Sequence, residues 1–205
     1  MEEKKILIMQ SLISLISKKQ TDDFSIEEVA ESAGIGKGTV YLYFKSKQEL
    51  LYNSILFSVS TMFKKTRIEV DKEEKFCEKI NKLFYSFIDL NEKTFLLWEN
   101  YLSKIDRSYN SDKSKTEQWM KIKKDFIDYI IDILSDGVKQ NYIKDAESLE
   151  IFAEIVYAQL RGLLIEIVFK GSFKKDKKKK DLLIKKSIEV ITNGITSNNI
   201  DSCIV

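Results

Sequence analysis

No proline interrupts this chain of 205 residues, and apolar side chains recur along it at three- and four-residue spacings. Proline is most damaging inside a helix, where it lacks the N–H donor and its ring clashes with the preceding turn. Alternating runs long enough for strands are missing. The pattern therefore predicts an all-α fold. A first helix over 3–19 would carry Ile6, Met9, Ile13 and Ile16 on one stripe. Short helices are expected at 26–33 and 37–44, and a long one over 47–70 with Leu51, Ile55, Val59 and Met62 along it. Further helices are expected at 74–91, 93–105, 116–141, 145–169 and 180–196, with polar loops at 106–114 and 171–181.

Composition narrows what such a bundle can do. Apolar residues make up 43% of the chain, enough for a core. The longest apolar run, 162–168, is broken by Glu166, so no stretch approaches the ~20 apolar residues of a membrane span. The N-terminal segment has acids ahead of its apolar part and no small-residue cleavage site, and reads as a helix of the mature protein. Cys77 and Cys203 lie far apart and outside any metal-ligand spacing, so reduced thiols in a cytoplasmic protein are expected, with neither metal nor cofactor. Histidine is absent altogether. That removes Ser-His-Asp and Cys-His catalysis and the commonest general base, and no catalytic residue is identified.

The most informative stretch is GIGKGTVYLYFKSK at 34–47, which holds three of the seven glycines. Ahead of it, Ser25 and Glu28 have the spacing of a capping box, and Gly34 is suited to the left-handed turn that ends a helix. Ser46 and Glu49 form a second capping box. Two short helices around a glycine turn make a helix-turn-helix over about 25–44, whose second helix is presented to the major groove of DNA. Lys37, Thr39, Tyr41 and Tyr43 offer groups that bind phosphate oxygens and touch base edges. Val40 and Phe44 share the opposite face and would pack inward on Val29 and Ala30. Gly36 occupies the N-cap without a side-chain oxygen. Gly38, in the first helical turn, costs about 1 kcal/mol relative to alanine, which points to a close approach to the backbone. Lys47 stands in the first turn of the next helix, whose free N–H groups favour phosphate. The net charge is +2, yet residues 1–50 carry seven lysines against eight acids. Acids at 22, 23, 27, 28 and 31 stand apart in sequence from lysines at 37, 45 and 47, which suggests a local basic edge.

FSIEEVAESAGIGKGTVYLYFKSKQELL, residues 24–51, resembles the N-terminal DNA-binding domain of TetR/AcrR-family transcriptional regulators. The resemblance implies a bacterial, homodimeric regulator with three DNA-binding helices and a helical C-terminal domain for a small-molecule inducer and for dimerisation. It divides the chain at 1–48 and 49–205. By motif position, contacts to double-stranded operator DNA would fall on Ser25, Gly36, Lys37, Gly38, Thr39, Tyr41, Tyr43 and Lys47, with Leu42 a candidate for sequence discrimination. Two departures stand out. Members usually have Ser or Thr at the position of Gly36, and Gly followed by an aromatic where this chain has Gln20 and Thr21. Phe24 is placed to supply the missing ring.

Beyond residue 75 aromatics are dense. Candidates to line an inducer site are Phe84, Phe87, Trp98, Asn100, Tyr101, Phe126, Tyr129, Phe152, Tyr157 and Gln159, although rings at helical spacing equally describe an ordinary core. The helix over 145–169 is apolar nearly all round, as expected of one covered on every side, and Ala158 and Gly162 would let a partner helix approach. Ile184, Ile188, Ile191 and Ile195 form a stripe suited to a four-helix dimer interface. The favoured reading is a repressor released from a pseudo-palindromic operator by a hydrophobic inducer, either acyl-CoA-like or drug-like. The alternatives are an architectural or cell-division factor without inducer, and a helical ligand-binding protein that keeps the motif as scaffold.

Overall fold

The computed structural model describes residues 2–19, 23–91, 113–169 and 176–195. Among them are eight α-helices and no strand: α1 (Glu2–Lys19), α2 (Ile26–Ser32), α3 (Lys37–Tyr43), α4 (Lys47–Val70), α5 (Phe76–Asn91), α6 (Lys113–Lys139), α7 (Leu149–Phe169) and α8 (Lys177–Ile195). The helix expected at 93–105 and residues 106–112 of the loop expected at 106–114 lie outside the described residues, while 113 and 114 already belong to α6. No described helix is long and apolar enough to cross a membrane.

Several helix ends have a local chemical cause. Glu2 and Glu3 open α1 and Lys18 and Lys19 close it, which matches the helix dipole at both ends. Asp145 accepts the N–H groups of Glu147 and Ser148, each at 3.2 Å, ahead of α7. Asp176 does the same for Lys179 at 3.1 Å at the start of α8. The end of α6 departs from expectation. Asn141 has φ 63, and Tyr142 N–H reaches the Gly137 carbonyl at 2.8 Å while Asn141 N–H reaches that of Val138 at 3.0 Å. This is a Schellman ending in which asparagine takes the left-handed position usual for glycine.

The chain divides into two compact units, the first taking in residues up to Thr61 and the start of α6 through Trp119, the second α4 from Met62, α5 and α6 from Met120 onward, so both α4 and α6 cross the boundary. In the first, α2 packs on both α1 and α3. Ile8, Met9, Leu12 and Ile16 of α1 share a core with Phe24, Ile26, Val29, Ala30, Val40, Phe44 and Leu50. Phe24 is thus buried among α1 residues, as its expected role required; Gln20 and Thr21 lie outside the described residues.

In the second unit α5, α7 and α8 pack on one another. Rings from α4, α5 and α6 stack at its centre: Phe126 lies 4.0 Å from Phe63 and 5.7 Å from Phe87, centroid to centroid. Tyr129 is anchored at its polar end, where its hydroxyl donates to Asp71 Oδ1 at 2.7 Å and Arg67 lies 4.7 Å from its ring centre. Burial, then that hydrogen bond, push its phenol far above the usual range. Cys77, expected as a free thiol, is disulfide-bonded.

Candidate nucleic-acid interface

The helix-turn-helix is built by backbone hydrogen bonds that its sequence pre-arranges. Ser25 Oγ accepts Glu28 N–H at 3.1 Å, and the Glu28 carboxylate accepts Ser25 N–H at 2.8 Å, closing the capping box. At the other end of α2, Gly34 adopts φ 65. Its N–H reaches the Glu31 carbonyl and Ile35 N–H that of Ala30, both at 3.0 Å, which turns the chain into α3. Gly36 caps α3 with φ −73 and ψ 146 and no side-chain bond. The second capping box is modified. Glu49 N–H reaches Ser46 Oγ at 3.0 Å, but the Glu49 carboxylate accepts from Lys45 N–H at 2.7 Å rather than from Ser46.

One face of α3 is locked and the other is open. Val40 and Phe44 are buried against Val29 and Ala30, as their spacing required. Leu42 is 83% exposed and Tyr41 48% exposed. Gly36, Lys37 and Gly38 are also exposed, while Ser25, Thr39, Tyr43 and Lys47 are half-buried. Tyr43 rests part of its ring on the core of the first unit. A Cβ added at Gly36 or Gly38 would meet nothing within 4 Å, so neither glycine is demanded by the chain's own packing.

The charges are arranged differently from the sequence expectation. Of the acids of α2, Glu27 pairs with Lys37 and Glu28 with Lys19 rather than standing apart from the lysines. Lys37 Nζ binds Glu27 Oε1 across the turn. That hydrogen bond holds the Glu27 carboxyl below the usual carboxylate range and lifts the Lys37 ammonium above the usual lysine value. Lys19 Nζ lies 2.5 Å from Glu28 Oε1. Lys47 sits 4.5 Å from the ring centre of Phe24 and 3.8 Å from Asp23.

The description "bacterial regulatory proteins, tetR family" matches residues 8–52, which span α1, α2, α3 and the start of α4. Residues 8–52 thus carry a tetR-family regulatory domain. A Bacillus subtilis relative, the uncharacterized HTH-type transcriptional regulator YerO, is 40% identical over 72 residues, 35% of this chain and 25% of that protein. The match thus spans a quarter of that relative's length. Among solved structures, a transcriptional regulator from Saccharomonospora viridis in complex with choline superposes with TM-score 0.77 at 16% identity, covering 97% of this chain and 100% of that one. The regulator FadR from Bacillus subtilis in complex with stearoyl-CoA gives TM-score 0.66 at 17% identity, covering 93% and 98%. Both share the fold along nearly their whole length.

The second unit places the remaining candidates unevenly. Phe84, Phe87, Phe126, Tyr129 and Tyr157 are buried, and all but Phe84 meet in the ring stack; Phe152 and Gln159 are half-buried. Trp98, Asn100 and Tyr101 lie outside the described residues. Sequence reading missed Phe63, which continues the α4 stripe four residues after Val59. It also missed Thr66, fully buried with its hydroxyl unpartnered. For the α8 stripe a correction is needed. Ile184, Ile188, Ile191 and Ile195 are buried within the subunit itself, because α8 packs on α5 and α7. Ala158 is exposed and Gly162 half-buried, in line with exposed Ile151 and Ile155 on α7.

Proposed function

We propose that this chain is a homodimeric one-component transcriptional regulator, a repressor that leaves a pseudo-palindromic DNA operator when a hydrophobic small molecule occupies its second unit. The observation that carries the reading is α3 itself: a helix pinned by Val40 and Phe44 that holds Leu42 and Tyr41 out in solvent. An exposed apolar side chain on so short a helix gains nothing for the free fold and suits contact with a thymine methyl in the major groove. Lys37, Gly38, Thr39, Tyr43 and Lys47 would hold the phosphates around it, and Ser25 and Gly36 would add hydroxyl and N–H contacts.

A second copy fits the outer face of α7 and α8. Ile151, Ile155, Ala158 and Gly162 follow one another at helical spacing, and Leu182 and Val190 are exposed on the helix packed beside them. Two such pairs make a four-helix interface. The inducer chemistry follows two precedents in the same fold, one neighbour holding stearoyl-CoA and another choline. The rings around Phe126 suit an acyl chain or the face of an organic cation, and the Thr66 hydroxyl supplies an unspent hydrogen bond. Ligand would shift the population between two arrangements of the dimer, with α4 contributing to both units.

The test is selection of DNA from a random pool by the purified full chain, followed by footprinting with stearoyl-CoA or choline added. Two protected half-sites about one helical turn apart are expected, lost on adding one of the ligands. Failure to enrich any sequence, with binding indifferent to salt, would exclude the regulator reading.

A further inference from the structure

We propose that Glu27 competes with DNA phosphate for Lys37 and so sets the chain's affinity for duplex DNA without touching it. The inference rests on the DNA-binding reading above and adds a residue outside the contacting set. Lys37 is the cation at the start of α3, and its ammonium is held by a carboxylate from α2 across the turn. Glu27 belongs to the first turn of α2, where a negative charge stabilises the helix. The same position keeps a carboxylate beside the groove-facing helix. A phosphate reaching for Lys37 must displace it.

Both side chains are more than half exposed, 51% for Lys37 and 59% for Glu27. Such a pair is weak and exchanges partners readily, its strength amounting to about a fivefold factor at most. It therefore tempers binding rather than blocking it. Because the competition is with phosphate, it acts on every DNA sequence alike. Lys47 repeats the arrangement with Asp23 at 3.8 Å, but there the Phe24 ring also holds the ammonium, so Glu27 gives the cleaner test.

The experiment is fluorescence anisotropy of full-length chain on a random-sequence duplex, across a salt series, with folding checked by circular dichroism. Glu27→Gln should bind about two- to fivefold tighter per subunit at low salt, and Glu27→Ala should follow it. Lys37→Met should bind more weakly, and adding Glu27→Gln to it should change nothing further. Glu31→Gln, the same charge change elsewhere on α2, should give a smaller gain. If folded Glu27→Gln binds no tighter than wild type, the competition is refuted. Equal gains from Glu31→Gln, or a gain that survives in the Lys37→Met background, would reduce the effect to bulk charge and refute it as well. Wild-type chain that binds no duplex at all would remove the DNA reading itself, a result distinct from the others.

Discussion

The ring of Phe76 occupies the space where a side chain at Gly137 would stand: a Cβ there would lie 2.9 Å from Phe76 Cδ2 and 2.9 Å from Ile143 Cδ1. Phe76 is fully buried, and its N–H is held by Gln140 Oε1 at 2.9 Å, so the ring has little freedom to retreat. Gly137→Ala should therefore destabilise the fold by about 1–3 kcal/mol, although alanine is the better helix former. Urea unfolding followed by circular dichroism would show a lower midpoint; an unchanged midpoint would mean that Phe76 and Ile143 yield easily.

Gly38 is the opposite case. Nothing lies within 4 Å of its added Cβ, so Gly38→Ala should stabilise the free chain by up to about 1 kcal/mol. DNA binding should fall at the same time, because a methyl would stand between the backbone and the duplex. The signature is a higher melting temperature with a weaker anisotropy titration. If stability and affinity rise together, close approach at Gly38 is not used.

Leu42 should govern which sequence is bound rather than how tightly DNA is held in general. Leu42→Ala removes an apolar contact worth about 1–3 kcal/mol at one base pair. The expected outcome is a changed ranking of selected operators at nearly constant affinity for random DNA. Retention of the wild-type ranking would take the discriminating role from Leu42.

What the sequence made legible was local. Ser25 with Glu28, Gly34, and the inward pair Val40 and Phe44 each depend on neighbours within about one helical turn, and each is found in the structure. Relations that needed the turn itself to be drawn were missed. Glu27 and Lys37 look like segregated charges until the chain folds back and pairs them. The α8 isoleucines show why periodicity alone is incomplete: a stripe says that a face is covered, not by which chain. Here α5 and α7 of the same subunit cover it. Asn141 gave no signal because only glycine is a strong marker of the left-handed position. Tyr129 and Asp71 are too far apart in sequence for any local pattern to join them.

Asp136 links stability to pH. Its carboxylate accepts from Lys79 Nζ at 2.6 Å and from Lys139 Nζ at 2.9 Å, and those two bonds hold its carboxyl below the ordinary aspartate value. A folded-state value below the unfolded one means stability that is present above the ordinary carboxylate range and is lost as pH falls through the lowered value. Asp136→Asn should be less stable than wild type at neutral pH. It should also lose less stability than wild type between about pH 5 and pH 3. Urea midpoints at the two ends of that window decide it; parallel losses would show that the two lysines do not hold the charge.

The outer face of α7 should be where two copies meet. Ile155 is 48% exposed in the subunit and Ile151 64%, so placing a charge at either leaves the subunit's own core intact. Ile155→Glu should then give a folded monomer by light scattering, with unchanged helicity. Operator affinity should drop steeply, since each half-site would have to bind alone and the linkage between them is worth orders of magnitude. Ile188→Glu provides the contrast. That side chain is 1% exposed within its own subunit, so a carboxylate there should unfold the chain rather than separate it. If Ile155→Glu remains a dimer at micromolar concentration while keeping its fold, α7 does not form the interface.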